Sequence, residues 1–179
     1  LIFISLSNRQ PKINSNVINI GISLESQLKA IYRFIKKENK KKTVIMYPKN
    51  EYESFIDKKI ASSQFKNFKI FKYNPDPKIL TGEIEKLTNY SQRKKNLEIR
   101  KKILAEKKDE KSKRELKKLD QLYTLGNVNF DSVIVIDFGN NLKSVLTSLA
   151  FSDVDDEEVL FTTVNQWFDE SLFYGNTVK

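Results

Sequence analysis

The chain has 179 residues, the length of a single domain of ordinary size, and carries a formal net charge of +9. Hydrophobic residues make up 39% of it, which is enough to build a core. It contains no histidine and no cysteine, which excludes a Ser-His-Asp triad, a cysteine nucleophile, a histidine-liganded zinc ion and a disulfide framework within this chain. Its five glycines form neither a dinucleotide fingerprint nor a P-loop, so we predict no cofactor and no enzymatic activity.

Short apolar strands alternate with amphipathic helices along most of the chain. Strands are predicted at 1–8, 43–47, 68–73, 131–138 and 159–164, with a polar connector at 9–19. Helices are predicted to begin near Ser23, Asn50, Pro77 and Gly139. This alternation predicts an α/β three-layer sandwich whose central sheet is mainly parallel, with residues 1–8 at one margin.

Two of these helices begin with capping signals. Ser23 is the predicted N-cap of the first helix, in which Leu24 and Leu28 begin an apolar stripe. Asn50 and Glu53 have the spacing of a capping box, with asparagine in place of the usual serine or threonine.

The segment from Arg93 to Asp120 interrupts this pattern. It holds thirteen basic and six acidic residues, a net charge of +7, and contains neither glycine nor proline. Its apolar residues form two sparse stripes, Leu97/Ile103/Leu104 and Leu116/Leu119/Leu122, separated by a fully charged stretch at 107–111. We therefore predict a helical hairpin insertion over 93–122 with Asp109 as the second N-cap, the alternative being one straight helix.

A basic hairpin has several candidate roles. It can bind nucleic acid, acidic lipid or an acidic protein surface, or it can be a solvated helical pair. Acidic residues are interleaved with the basic ones, and no aromatic side chain for base stacking lies between 93 and 120. This composition favours a solvated hairpin or a protein-binding role over nucleic acid.

Polar and aromatic side chains recur where the predicted strands end. They are Asn50, Tyr52, Asn74, Asp137, Asn140, Asn165 and Trp167. Open α/β sheets bind ligands at the carboxyl ends of their strands, so these residues are candidates for a ligand cleft, although ordinary loop and cap usage explains them equally well. Asp137 with Glu51 or Glu53 is a candidate acid-base pair, or a loop cap. The acidic run at 153–158 lacks the glycine and spacing of an EF-hand and reads as a loop.

Several of these segments resemble type I periplasmic binding proteins of the leucine-binding kind. The similar segments are Phe3–Asn8, Gly21–Gln27, Tyr47–Tyr52, Phe130–Val135 and Thr163–Trp167. The charged hairpin, which ends in Leu122–Gly126, is similar to the insertion of the LpoA-like penicillin-binding protein activators. Glu53 departs from the receptors, which commonly have glycine after the tyrosine.

The resemblance implies that residues 1–22 are a connector from a first lobe, that 23–164 form the second lobe, and that 165–179 return toward the hinge. The opening run at 1–4, without an initiator methionine, favours the same expectation of a longer polypeptide. The implied function is that of a non-catalytic periplasmic regulatory lobe that acts on a penicillin-binding protein or another cell-envelope protein. The same resemblance implies a lipid anchor in an upstream segment. The alternative is the solute-binding lobe of a transport receptor for an amino acid or a similar molecule.

The strand-end pattern, the hairpin charge and this resemblance, which adds Ser5 and Ser7, together give two sets of site residues. The ligand-cleft candidates are Ser5, Ser7, Asn50, Tyr52, Asp137 and Trp167. The partner-binding candidates are Lys101 and Arg114, on the hairpin. No metal site is implied.

Overall fold

A computed structural model of the chain describes residues 2–5, 16–19, 21–61, 65, 68–107 and 109–164. Within these residues the strands are β1 (Phe3–Ser5), β2 (Val17–Asn19), β3 (Thr43–Pro48), β4 (Lys69–Tyr73), β5 (Ser132–Val135) and β6 (Leu160–Thr163). The helices are α1 (Leu24–Lys37), α2 (Glu53–Ala61), α3 (Pro77–Leu87), α4 (Tyr90–Glu106), α5 (Glu110–Leu119) and α6 (Gly139–Phe151).

The centre of the fold is a four-stranded parallel sheet in the order β4-β3-β5-β6. In β3, one of its two inner strands, Ile45 and Tyr47 face a layer formed by α1 and α2, whereas Val44 and Met46 face a layer formed by α3 and α6. All six residues of β3 are buried, as expected for a parallel strand that is covered on both faces. The predicted α/β sandwich with a parallel sheet is therefore confirmed.

The N-terminal region differs from the prediction. The strand expected at 1–8 is β1, which pairs in parallel with β2 in a separate two-stranded sheet, so it is not a margin of the central sheet. β2 lies inside the stretch that was predicted as a connector. Phe3, Ile4 and Ile18 are more than half exposed in this small sheet.

The predicted hairpin is confirmed. α4 and α5 are separate helices, and the Asp109 carboxylate accepts a hydrogen bond from the Ser112 amide at 2.8 Å, which makes Asp109 the N-cap of α5. Leu97, Leu104 and Leu119 form a small core between the two helices. Ile103 and Leu122, which were predicted to join the apolar stripes, are 42% and 45% exposed, because the helices meet along a narrower seam than the sequence suggested.

Arg93 attaches the hairpin to the sandwich. It lies in the first turn of α4, is 8% exposed, and donates hydrogen bonds to the carbonyl oxygens of Gly126, Ser152 and Asp153. Its own carbonyl accepts a hydrogen bond from the Leu125 amide at 3.1 Å. Arg93, which the sequence presents as one more cation of the charged segment, is therefore a buried structural residue.

Candidate functional site

The strand order makes a topological switch point at the carboxyl ends of β3 and β5, the position at which open α/β sheets form a crevice. These strands are neighbours, but α2, which follows β3, packs on one face of the sheet, and α6, which follows β5, packs on the other. The loops at 49–52 and 136–138 therefore leave the same edge in opposite directions. Such a topological switch point is where open α/β sheets bind ligands.

Asn50 and Tyr52 lie in the first of these loops and are exposed. The side-chain oxygen of Asn50 accepts a hydrogen bond from the Tyr52 amide at 2.9 Å, and its carbonyl oxygen accepts one from the Glu53 amide at 3.0 Å. This is an Asx turn. The capping-box reading was wrong, because the Glu53 carboxylate binds Lys72 at 2.9 Å instead of turning back to the Asn50 amide.

Asp137 lies in the second loop but faces the interior. It is 4% exposed, and its carboxylate accepts hydrogen bonds from the Tyr73 hydroxyl at 2.5 Å and from the Phe138 amide at 2.8 Å. Burial raises the pKa of Asp137 above its usual value, against the lowering effect of these hydrogen bonds. Burial, together with the neighbouring carboxylate, also raises the pKa of Tyr73. The hydrogen bond from Tyr73 to Asp137 thus links β4 to the loop that follows β5.

A charged pair at the rim of this edge was missed by the sequence analysis. The Glu83 carboxylate accepts a hydrogen bond from the Asn74 amide at 2.7 Å and lies 3.5 Å from the ammonium group of Lys49. Glu83 belongs to α3, while Lys49 and Asn74 follow adjacent strands. Only the pairing of β3 with β4 brings these three residues together, so no local pattern reveals them.

Asp137 and Glu53, one of the two proposed acid-base pairs, have separate partners. Asp137 binds Tyr73, whereas Glu53 and Asp57 both bind the Lys72 ammonium group, at 2.9 and 2.8 Å. Asp57 also accepts a hydrogen bond from the Tyr47 hydroxyl at 2.5 Å. This second network links α2 to the sheet.

The remaining cleft candidates fall at the ends of the described chain. Ser5 is in β1, where its backbone pairs with Asn19, and its side chain is outside the described part. Ser7, Asn165 and Trp167 lie outside the described residues altogether.

Two carboxylates of the acidic run at 153–158 have structural roles. Asp153, at a positive φ of 55°, accepts a hydrogen bond from the Thr124 hydroxyl. Asp155 accepts one from the Glu157 amide at 2.8 Å. The described residues contain no group of three or more acidic side chains placed to hold a metal ion.

The two partner-binding candidates on the hairpin differ in availability. The Lys101 ammonium group binds the Asp120 carboxylate at 3.0 Å and so links α4 to the end of α5. Arg114 is exposed and forms no ion pair with any residue in the described ranges. Of the two, Arg114 is the side chain free to meet a partner.

Comparisons with protein-family models, curated proteins and solved structures found no match to this chain. Over the described ranges, none of the helices has the length and apolar content that crossing a bilayer requires.

Proposed function

We propose that this chain is a non-catalytic regulatory lobe that binds another cell-envelope protein through the α4–α5 hairpin. The observation that carries the proposal is the construction of the hairpin. It has its own small core of Leu97, Leu104 and Leu119, and its second helix packs mainly on its first. An element that contributes so little to the main core, yet presents many charged side chains, is suited to contact another molecule.

The resemblance to LpoA-like activators supports a more specific form of this proposal. In that form the protein is periplasmic and its partner is a penicillin-binding protein whose peptidoglycan synthesis it stimulates. A simple solute receptor does not need a charged hairpin, whereas a protein that acts on an enzyme needs a contact surface.

The direct test is the rate of glycan polymerisation by a peptidoglycan synthase from the same organism, with and without this protein. We expect stimulation by the natural chain and none by a variant in which a short Gly/Ser linker replaces 95–120. Circular dichroism and thermal melting of the variant serve as the folding control. Equal stimulation by both proteins would contradict the role of the hairpin, and no stimulation by either would contradict the activator proposal.

A second candidate, a solute-binding lobe, is favoured by the topological switch point between β3 and β5. The exposed Tyr52 at this edge offers an apolar ring and a hydroxyl to a ligand. One wall leaves a solute largely in water, so this chain alone is expected to bind amino acids weakly. Calorimetry against an amino-acid panel tests this, and micromolar binding by this chain would contradict it.

In a protein that contains both lobes, Tyr52→Ala should weaken solute binding. Phe55→Ala is the matched control, because Phe55 is an exposed aromatic residue of α2 that follows the same loop. If the protein is an activator only, Tyr52→Ala leaves synthase stimulation unchanged.

A further inference from the structure

We propose that the outward face of α5 is a docking surface for an acidic segment of a partner protein. This surface, the α5 basic face, consists of Lys111, Arg114, Lys117 and Lys118. The inference rests on the proposed function and specifies both the contact helix and the chemistry of the partner.

The α5 basic face is cationic because the acidic residues around it are already engaged. Three of the four acidic side chains between 109 and 120 pair with cations of the hairpin: Glu110 with Lys113, Glu115 with Arg100, and Asp120 with Lys101. The fourth, Asp109, is used as the N-cap of α5, where it accepts a hydrogen bond from the Ser112 amide. The four cations of the α5 basic face are exposed and form no ion pair with any described residue.

Helix geometry places these four cations together. They occupy positions i, i+3, i+6 and i+7, which fall on one side of a helix and span about 10 Å along its axis. Ser112 and Leu119 are buried against α4 on the opposite side. The spacing suits carboxylates one turn apart on a facing helix or extended segment.

The outward face of α4 has no comparable charge. There, the exposed cations Lys95 and Lys102 alternate with the exposed carboxylates Glu98 and Glu106, none of which has an ion-pair partner among the described residues. With Lys94 and Lys107 beside them, α4 and its C-cap present four exposed cations and two exposed carboxylates. The two helices therefore differ in arrangement: opposite charges are interleaved along α4, whereas the cations of the α5 basic face have no unpaired carboxylate between them.

Three features favour a protein over a membrane or a nucleic acid as the occupant. Leu116 and Leu119 of α5 contribute to the hairpin core, so the helix has no free apolar face to insert into lipid. No aromatic residue lies within α5 to stack on bases. Just beyond its end, Leu122 and Tyr123 are 45% and 75% exposed, and an apolar anchor beside charged residues is typical of protein interfaces.

The test measures binding of a fluorescent 16-residue acidic helical peptide, with glutamates one turn apart and leucines between them, by anisotropy at low and at high salt. The test variant carries Lys111→Gln, Arg114→Gln, Lys117→Gln and Lys118→Gln. The matched control carries Lys94→Gln, Lys95→Gln, Lys102→Gln and Lys107→Gln. It removes the same number of positive charges, four, from exposed positions on α4 and its C-cap. Thermal melting checks that both variants fold.

We expect the α5 variant to bind the peptide roughly tenfold more weakly and the α4 variant to bind it nearly as well as the natural protein. Tyr123→Ala should also weaken binding, and high salt should weaken it for the natural protein. Equal losses in the two variants would overturn the proposal, because they would reveal a diffuse charge effect. Preferential binding of phosphatidylglycerol vesicles or of a DNA duplex, with the same dependence on α5, would overturn the choice of a protein partner.

The synthase assay separates this inference from the proposed function. If stimulation is lost on removal of the hairpin but kept in the α5 variant, the α5 basic face is not the contact and the regulatory function stands. If the peptide binds through α5 but no synthase is stimulated, the docking surface stands and the activator proposal fails.

Discussion

The guanidinium group of Arg93 caps the C-terminal end of α6, where it donates a hydrogen bond to the Ser152 carbonyl oxygen at 3.0 Å. The other two guanidinium nitrogens donate hydrogen bonds to the Asp153 carbonyl oxygen at 2.8 Å and to the Gly126 carbonyl oxygen at 2.7 Å. A cation at this end of a helix also complements its dipole. One side chain thus joins the base of the hairpin to the helix that starts at the switch point.

Arg93→Met should destabilise the protein by about 2–4 kcal/mol, because methionine fills similar space but leaves buried carbonyl oxygens without a donor. Urea unfolding measures the loss. Arg114→Met is the control, since Arg114 is exposed and unpaired among the described residues, and it should change stability by less than about 0.5 kcal/mol. Similar losses in the two variants would show that Arg93 is not the anchor.

Replacement of 95–120 by a short Gly/Ser linker should lower the melting temperature by less than about 4 °C. The variant keeps Arg93 and its three hydrogen bonds, and it loses a core that lies mostly within the hairpin. The cost should come from the loss of the hairpin core that packs against Leu125. A much larger drop, measured by calorimetry, would mean that the hairpin completes the main core.

Asp137→Asn should change how stability depends on pH. Because the pKa of Asp137 is raised in the folded state, its contribution is fully present below the unfolded value of about 3.9 and is lost as pH rises through the folded value. Asparagine cannot ionise, so the variant should gain stability relative to the natural protein as pH increases from 3 to 7. Urea midpoints across this range give the comparison, and a constant difference would contradict the raised pKa.

Tyr73→Phe should cost about 1–3 kcal/mol, because it leaves a buried carboxylate oxygen of Asp137 without its hydroxyl donor. Tyr123→Phe removes a hydroxyl from a side chain that is 75% exposed and should be nearly neutral. In the Asp137→Asn background the Tyr73 substitution should cost less, since a neutral amide needs the donor less than a carboxylate does. Additive costs in that double-mutant cycle would show that the two residues act independently.

Local patterns were sufficient for most of the fold. Val133 to Ile136 reads as a buried strand, and Asp109 reads as an N-cap, because both signals lie within a few residues of chain. β2 was missed because its three residues stand in a polar stretch and are held by pairing with β1, which the sequence does not display.

The candidate site was predicted less completely, for the same reason. Its position at the ends of β3 and β5 followed from the strand pattern. The inward orientation of Asp137 could also have been predicted, because Asp137 lies two residues after Val135 and four after Val133, and side chains at that spacing in an extended chain point to the same face, here toward α3 and α6. The roles of Arg93 and Glu83 could not be read, because each depends on partners brought together only by tertiary folding.

The chain leaves the sandwich at Arg93 and re-enters it at Leu125, and these two residues share a backbone hydrogen bond of 3.1 Å. The first and last residues of the insertion are thus held next to each other by a backbone hydrogen bond that does not involve the residues between them. A fluorescent protein or an affinity tag placed in the turn between α4 and α5 would have both of its ends tethered there. Such a fusion offers a way to label the molecule at the tip of its hairpin while leaving the switch point and the sheet untouched.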